Sequence, residues 1–235
     1  MNKSNHLVAG MGEVGDALYS ILVKAYPLLT TAVDPGKGIL PVNVSDGVDV
    51  LHICFPYSDK FIEYVKSYQE EYKPKYTIIH STVPVGTSVQ VGSLHSPIRG
   101  VHPKLEEGIR TFPKFIGGEQ SSDVADYFRR AGIRVVLFDK AETTEAMKLF
   151  DTEYYRTVIE FAHRVKRYCD EHGLNFHEVY TLANQTYNEG YTQLGHPEYV
   201  RPVLQPIMKP IGGHCLMPNK ELIAQSEFAL EPEKP

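Results

Sequence analysis

The sequence has no apolar run near the roughly 18 residues that a membrane-spanning helix requires. Its opening residues, Met1-Asn2-Lys3-Ser4-Asn5, lead into a short strand with no hydrophobic leader. Neither a signal peptide nor a membrane attachment is expected. Basic residues are not in excess: 24 Lys and Arg stand against 29 Asp and Glu, a net charge of -5. That sign argues against a nucleic-acid partner. Cysteine is scarce. Cys54, Cys169 and Cys215 are far apart and cannot all pair within one chain, which fits a reducing, cytoplasmic compartment. No metal-ligand spacing stands out, so no metal is expected, and there are no internal repeats or low-complexity tracts. What remains is an ordinary globular composition, 42% hydrophobic and 23% charged over 235 residues. That is enough for one domain and a smaller companion.

The first half alternates short apolar runs with amphipathic ones. Strands are predicted at 6–9, 28–33, 49–54, 76–80, 98–101 and 133–138, and helices at 13–25, 59–71, 87–94 and 122–131. Turn residues separate them at Asp34-Pro35-Gly36, Lys73-Pro74 and Gly117-Gly118. From Ala141 no strand-like run returns. One long helix is predicted over 142–172, with Met147, Phe150, Tyr154, Val158, Phe161, Val165 and Tyr168 on one face and Gly173 as a left-handed stop. At 1.5 Å per residue it would be roughly 45 Å long, so it must bridge two bodies or pack against another subunit. A second helix is predicted over 175–189 and a short one from Pro218.

Gly10-Met11-Gly12-Glu13-Val14-Gly15 is a GxGxxG that follows a strand and opens a helix. Its three glycines serve a tight turn, the close approach of a pyrophosphate, and close packing of helix on sheet. The anion would rest on the helix N-terminus. Asp34, at the end of the second strand, is placed to bond an adenosine ribose and to repel a 2′-phosphate, which favours NAD over NADP. The expected fold is α/β: a Rossmann-type doubly wound parallel sheet over 1–140, then an α-helical domain over 141–235 with one long central helix.

Ile211-Gly212-Gly213-His214-Cys215 offers a thiol just before a helix started by Pro218, where the helix dipole would favour the thiolate. A core-filling cysteine is the plainer alternative. Lys148 reads locally as an ordinary helix lysine. His80 and His102 each follow a strand at the carboxyl edge, where open sheets bind ligands, and either could take a proton.

These motifs together resemble the UDP-glucose/GDP-mannose dehydrogenase family. Its glycine loop matches Gly10–Gly15. Its third-strand segment matches Asp49 to Pro56, and its STVPPGT loop matches Ser81 to Thr87. Its central helix matches Ala141-Glu142 through Lys148 to Gly173, and its GGHCLPVD signature matches Gly212 to Leu216. The resemblance implies NAD as cofactor, held by Gly10, Met11, Gly12, Glu13, Val14, Gly15 and Asp34, with Phe55, Pro56, Ser81 and Thr82 beside it. It also implies a double oxidation of a hydroxymethyl group. A cysteine captures the aldehyde, the second hydride transfer leaves a thioester, and water releases the acid. Cys215 would be the nucleophile and Lys148 the oxyanion partner. Subunits of the family pair through the central helix, so a homodimer is expected.

Departures from the family pattern are equally specific. Thr152 stands for its asparagine, Asn219 for its aspartate and Lys104 for the glutamate of its PEF segment. The sequence stops soon after Cys215, so the family's C-terminal nucleotide-binding domain is expected to be absent. Gly100-Val101-His102-Pro103 is also similar to the His-Pro segment of prephenate dehydrogenases, which would make His102 a base for one alcohol oxidation. The expectation is an NAD-dependent oxidoreductase with an altered catalytic set, acting on a small alcohol or a sugar nucleotide. The alternative is a non-catalytic NAD-binding regulatory or assembly protein.

Overall fold

The computed structural model describes residues 5–41, 44, 47–100, 103–205 and 216–226, with backbone alone at 216 and 217. Two compact units make up the chain, Met1–Leu149 and Phe150–Pro235.

In the first unit, seven strands among the described residues form one sheet in the order β2-β1-β3-β4-β5-β6-β7. They are β1 (His6–Ala9), β2 (Thr30–Val33), β3 (Val50–Ile53), β4 (Tyr76–Ile79), β5 (Leu94–His95), β6 (Lys114–Gly117) and β7 (Val135–Phe138). Strands β1 to β5 run parallel, and β6 turns antiparallel to β5. The order reverses between β1 and β3, which opens a crevice at their carboxyl ends. Helix α1 (Glu13–Ala25) buries Leu18, Ile21 and Leu22 against one face of the sheet, spaced as an apolar stripe. Phe128 of α5 (Ser121–Arg130) covers the same face. Phe61 and Val65 of α2 (Phe61–Tyr72) pack with Leu51, Ile53 and Ile79 on the other. Covered on both faces, β1, β3 and β4 have no exposed position, the mark of parallel strands in an α/β core.

The sequence reading needs correction around residues 90–118. No strand forms at 98–100; the fifth strand is the two-residue β5, and Pro97, which lacks an N–H, follows it closely. β6 and the short α4 (Leu105–Thr111) were not foreseen, and α3 (Thr87–Gln90) is a single turn. β6 is four residues, bounded by Pro113 and Gly118, too short for its periodicity to show.

Helix α6 (Ala141–His172) starts in the first unit and continues into the second. Gly173 ends it at φ +66, and the Leu174 amide reaches back to the Cys169 carbonyl at 2.8 Å, a Schellman closure. The predicted apolar seam stays largely open: Phe150, Tyr154, Phe161 and Tyr168 are 42, 61, 49 and 53% exposed. A different stripe is buried, Thr152, Glu153, Ala162 and Cys169, with Arg156 bonded to Glu153 and Glu160. Ala162 and Cys169 pack with Phe176 and Tyr180. A π-helical turn (His177–Leu182) leads into α7 (Ala183–Gln193), and α8 is Leu216–Gln225. Among the described residues, no helix is long and apolar enough to cross a membrane.

Candidate functional site

The glycine turn joins the end of β1 to α1 at the topological switch. Gly10 adopts φ +89, and a Cβ there would come within 2.7 Å of the Phe55 nitrogen. A Cβ on Gly15 would meet the Gly10 carbonyl oxygen at 1.9 Å. These two glycines let the turn and the helix lie against β3. Gly12 is different: a Cβ there would meet nothing within 4 Å, so the space beside this residue is open. Gly12 also caps α1 without a side-chain hydrogen bond. A helix start left open at its cap is suited to an anion.

Asp34 ties the turn to β2. Its carboxylate accepts the Met11 amide at 2.9 Å and the Lys37 amide at 3.3 Å, while the Lys37 ammonium bonds the Met11 carbonyl. Each carboxylate oxygen keeps acceptor capacity beyond these bonds. Beside Asp34 a cleft of about 790 Å³ opens between the end of β2 and α2, walled in part by Pro35, Phe55, Tyr64, Tyr68 and Tyr72. Phe55 and Tyr68 rings lie 5.9 Å apart, and Tyr68 stacks with Tyr72 at 6.1 Å. Burial, helped by the Asp34 and Glu71 charges, raises the Tyr68 phenol above its ordinary range. Sequence reasoning missed this aromatic wall. Its signal was present: Tyr64, Tyr68 and Tyr72 recur every fourth residue, on one face of a helix. A turn that only glycine can form, an open anion position, a ribose-height carboxylate and a flat-walled cleft in line with them fit a dinucleotide.

The loop after β4 meets the chain just past β3 at Phe55. Ser81 donates its hydroxyl to the Phe55 carbonyl at 2.5 Å, and the Ser81 carbonyl accepts from His95 Nε2 at 3.2 Å. Pro56 borders the cleft, and Thr82 is half-buried in the loop. Glu145 of α6, fully buried, accepts the amides of Gly86 at 2.6 Å and Ser88 at 2.8 Å, so it fixes the loop's far end. Burial raises its carboxyl above the usual range against those bonds. Glu145 was another residue not foreseen, since a glutamate early in a helix reads as solvated. Lys148, one turn further on, is half-buried and close enough to His95 for its charge to depress that imidazole, whose burial takes it down to about 3.

Of the remaining candidates, Cys215 and His102 lie outside the described residues. Thr152 and Asn219 are both buried, on α6 and α8. Glu13 is exposed in the first turn of α1, and Val14 is half-buried. His80 is corrected: it is sealed in the core, bonded to His52 and the Ser96 carbonyl, and cannot take a proton from a ligand at the sheet edge. Lys104 is exposed and pairs with Glu107 at 3.6 Å. Among the described residues no group of His, Cys, Asp and Glu could hold a metal ion.

No protein-family profile matches the sequence, and no curated protein matches it. Solved structures do. A UDP-D-ManNAc dehydrogenase from Pyrococcus horikoshii is 18% identical with a TM-score of 0.69 over 92% of this chain and 63% of its own. A UDP-N-acetyl-mannosamine dehydrogenase from S. aureus is 20% identical, TM-score 0.66, over 95% of this chain and 66% of its own. A 3-hydroxyisobutyrate dehydrogenase from Mycobacterium tuberculosis is 15% identical, TM-score 0.68, over 96% and 87%. The chain spans less than two thirds of the length of the two sugar-nucleotide enzymes. At these identities the likeness is one of fold: a mostly parallel Rossmann-type sheet followed by helices, the architecture these dehydrogenases share.

Proposed function

We propose that the chain is an NAD-dependent oxidoreductase acting on the CH–OH group of a small alcohol or a sugar nucleotide. The observation that carries this reading is the alignment of the Gly10–Gly15 turn, the Asp34 carboxylate and the tyrosine-walled cleft along one carboxyl edge. NAD bound there would supply a hydride acceptor. The chain's own part is to bind and orient. The start of α1 holds the pyrophosphate, Asp34 the adenosine ribose, and Phe55, Tyr64, Tyr68 and Tyr72 the adenine by ring contact. Ser81 and Thr82 flank the cofactor on a loop fixed by Glu145. Lys148 stabilises oxyanion charge, and Cys215 is the nucleophile, with His102 as base if only one oxidation occurs. In this reading a nucleotide-binding domain covers 1–140 and a helical domain covers 141–235.

We assign the exposed seam of α6 to a homodimer contact, because Phe150, Tyr154, Phe161 and Tyr168 leave an aromatic row open to water. Cys54 and Cys169 are free and buried, in keeping with a reducing cytoplasm.

The second reading, an NAD-binding regulatory or assembly protein without turnover, draws on Asn219. An amide buried where the resembling family has an aspartate cannot accept a proton. One experiment separates the two: NADH formation screened over alcohols, with and without UDP- and GDP-sugars, beside a Cys215→Ala control. Turnover abolished by that substitution supports the covalent route. Tight NAD binding with no turnover on any substrate supports the second reading.

A further inference from the structure

Three imidazoles and an ammonium lie in one hydrogen-bonded row inside the first unit. His6 Nδ1 is 3.0 Å from His52 Nε2, and His52 Nδ1 is 3.0 Å from His80 Nε2. His80 Nδ1 is 2.7 Å from the Ser96 carbonyl, and Lys114 Nζ lies 3.0 Å from that carbonyl and 3.3 Å from His80 Nδ1. The register explains the row. Val8 of β1 and Ile78 of β4 stand beside His52, so each ring lies one strand over and two residues up from the last. Such diagonal neighbours share a sheet face. All four groups are buried.

With every ring neutral and one proton in each ring-to-ring contact, the three rings have two arrangements. A neutral imidazole has one N–H and one lone pair, and each ring-to-ring contact takes one proton. The 2.7 Å contact of His80 Nδ1 with the Ser96 carbonyl is that of an N–H donor, the state with Lys114 neutral. With Lys114 charged, its ammonium takes over the Ser96 carbonyl and favours a lone pair on His80 Nδ1, which then draws back from that oxygen. His80, His52 and His6 then all carry Nε2–H. With Lys114 neutral, His80 Nδ1–H bonds the Ser96 carbonyl, and all three rings carry Nδ1–H. The two states differ by one proton.

We propose that Lys114 exchanges its proton with solvent through His80, His52 and His6, and that each exchange reverses the tautomer of all three rings together. On deprotonation the Lys114 N–H bond breaks as His80 Nδ1–H forms. The Nε2 proton of His80 passes to His52 Nδ1, and that of His52 to His6 Nδ1. The Nε2 proton of His6 leaves to water. One ammonium becomes an amine and one water becomes hydronium. The outer end of the row is His6 Nε2, a buried nitrogen with no hydrogen-bond partner among the described residues, on a residue that borders a cavity of about 220 Å³ at the amino ends of β1 and β2.

The surroundings keep the rings neutral and leave the ammonium free to titrate. Burial holds His52 and His80 well below the usual imidazole range and takes His6 down to about 4. Burial also takes Lys114 down to about 7, with Cys54 raising and Arg99 lowering it. Asp49, Tyr26 and Tyr127 face His6, Phe128 faces His52, His80 and Lys114, and His95 acts on His80. None of these is a carboxylate beside Lys114 that would pin its charge.

Nitrogen NMR of the intact protein labelled at histidine and lysine tests this between pH 5.5 and 9. The Nδ1 and Nε2 signals of all three rings should trade protonated for bare character together, with the midpoint of Lys114, near 7. Fixed tautomers while Lys114 titrates would overturn the proposal. So would rings that become imidazolium at separate midpoints in that range. Lys114→Met should lock the row with Nδ1–H at every pH. His52→Phe should leave His80 responsive and His6 silent. If either variant fails to fold, the unaltered protein's titration decides alone.

Discussion

The Met11 amide donates to the Asp34 carboxylate across 2.9 Å, so the residue expected to read the ribose also braces the glycine turn. Asp34 therefore has two roles that substitution can separate. Asp34→Asn keeps an acceptor for Met11 but loses the charge that repels a 2′-phosphate, so it should narrow the preference for NAD over NADP without unfolding the turn. Asp34→Ala removes both, and NAD affinity should fall by roughly tenfold to a hundredfold, the scale of a hydrogen bond to a charged group. Calorimetry with both cofactors is the measurement. Equal binding of NAD and NADP by the unaltered protein would take Asp34 out of the proposed role.

The glycines give a sharper contrast. Gly15→Ala would push a methyl to 1.9 Å from the Gly10 carbonyl oxygen, so the protein should lose about 1–3 kcal/mol or more along with nucleotide binding. Gly12→Ala meets no protein atom within 4 Å, and its melting temperature should barely change. Its added methyl stands where the pyrophosphate is proposed, so NAD affinity should fall. Gly12→Ala binding NAD normally would place the phosphates elsewhere.

Glu145 receives two amides with its two carboxylate oxygens, from Gly86 at 2.6 Å and Ser88 at 2.8 Å. Glu145→Gln sets an NH₂ against one of those donors. A loss of about 2 kcal/mol in stability is expected, with faster amide exchange confined first to Gly86 and Ser88. Unchanged exchange at both amides would show that the loop holds its form without the carboxylate.

What the sequence made legible follows from the range of each interaction. The glycine turn, Asp34, α1 and the stop at Gly173 are written within a few residues of themselves, and they stand where the pattern places them. β6 was invisible because its pairing partner decides it, not its own periodicity. The tyrosine wall shows as an i, i+4, i+8 stripe, but nothing local says which face of α2 borders a cleft. Glu145 and the row from His6 to Lys114 join residues 57 to 59 and 28 to 46 positions apart, so their partners emerge only from strand order and register. For α6 the sequence gives an apolar face, yet the buried stripe runs through Thr152, Glu153 and Cys169 instead. Hydrophobicity alone could not rank a face that buries its charges as a bonded Glu153–Arg156 pair.

Acid should destabilise this fold more steeply than its carboxylates alone would require. His6, His52, His80 and His95 are all pushed below the ordinary imidazole value by burial. In the unfolded chain these rings gain protons near pH 6.5, while in the folded state they resist down to about 4 for His6 and about 3 for His95. Between those limits the unfolded state binds more protons, so stability must fall as pH falls. For His6 alone the drop from 6.5 to about 4 amounts to something on the order of 3 kcal/mol. Lys114 acts with the same sign in a higher window. Lowered to about 7, it binds fewer protons than its unfolded counterpart up to 10.5, so stability should rise with pH there. His6→Phe separates the windows. A phenyl ring suits the aromatic pair Tyr26 and Tyr127, whose rings lie 4.5 and 5.4 Å from the imidazole, and it cannot be protonated. Its melting temperature should fall below that of the unaltered protein near pH 7, because His52 Nε2 loses its partner, and the deficit should shrink or reverse at pH 5. A difference that stays constant from pH 7 to pH 5 would mean that His6 is not the neutral, buried ring described.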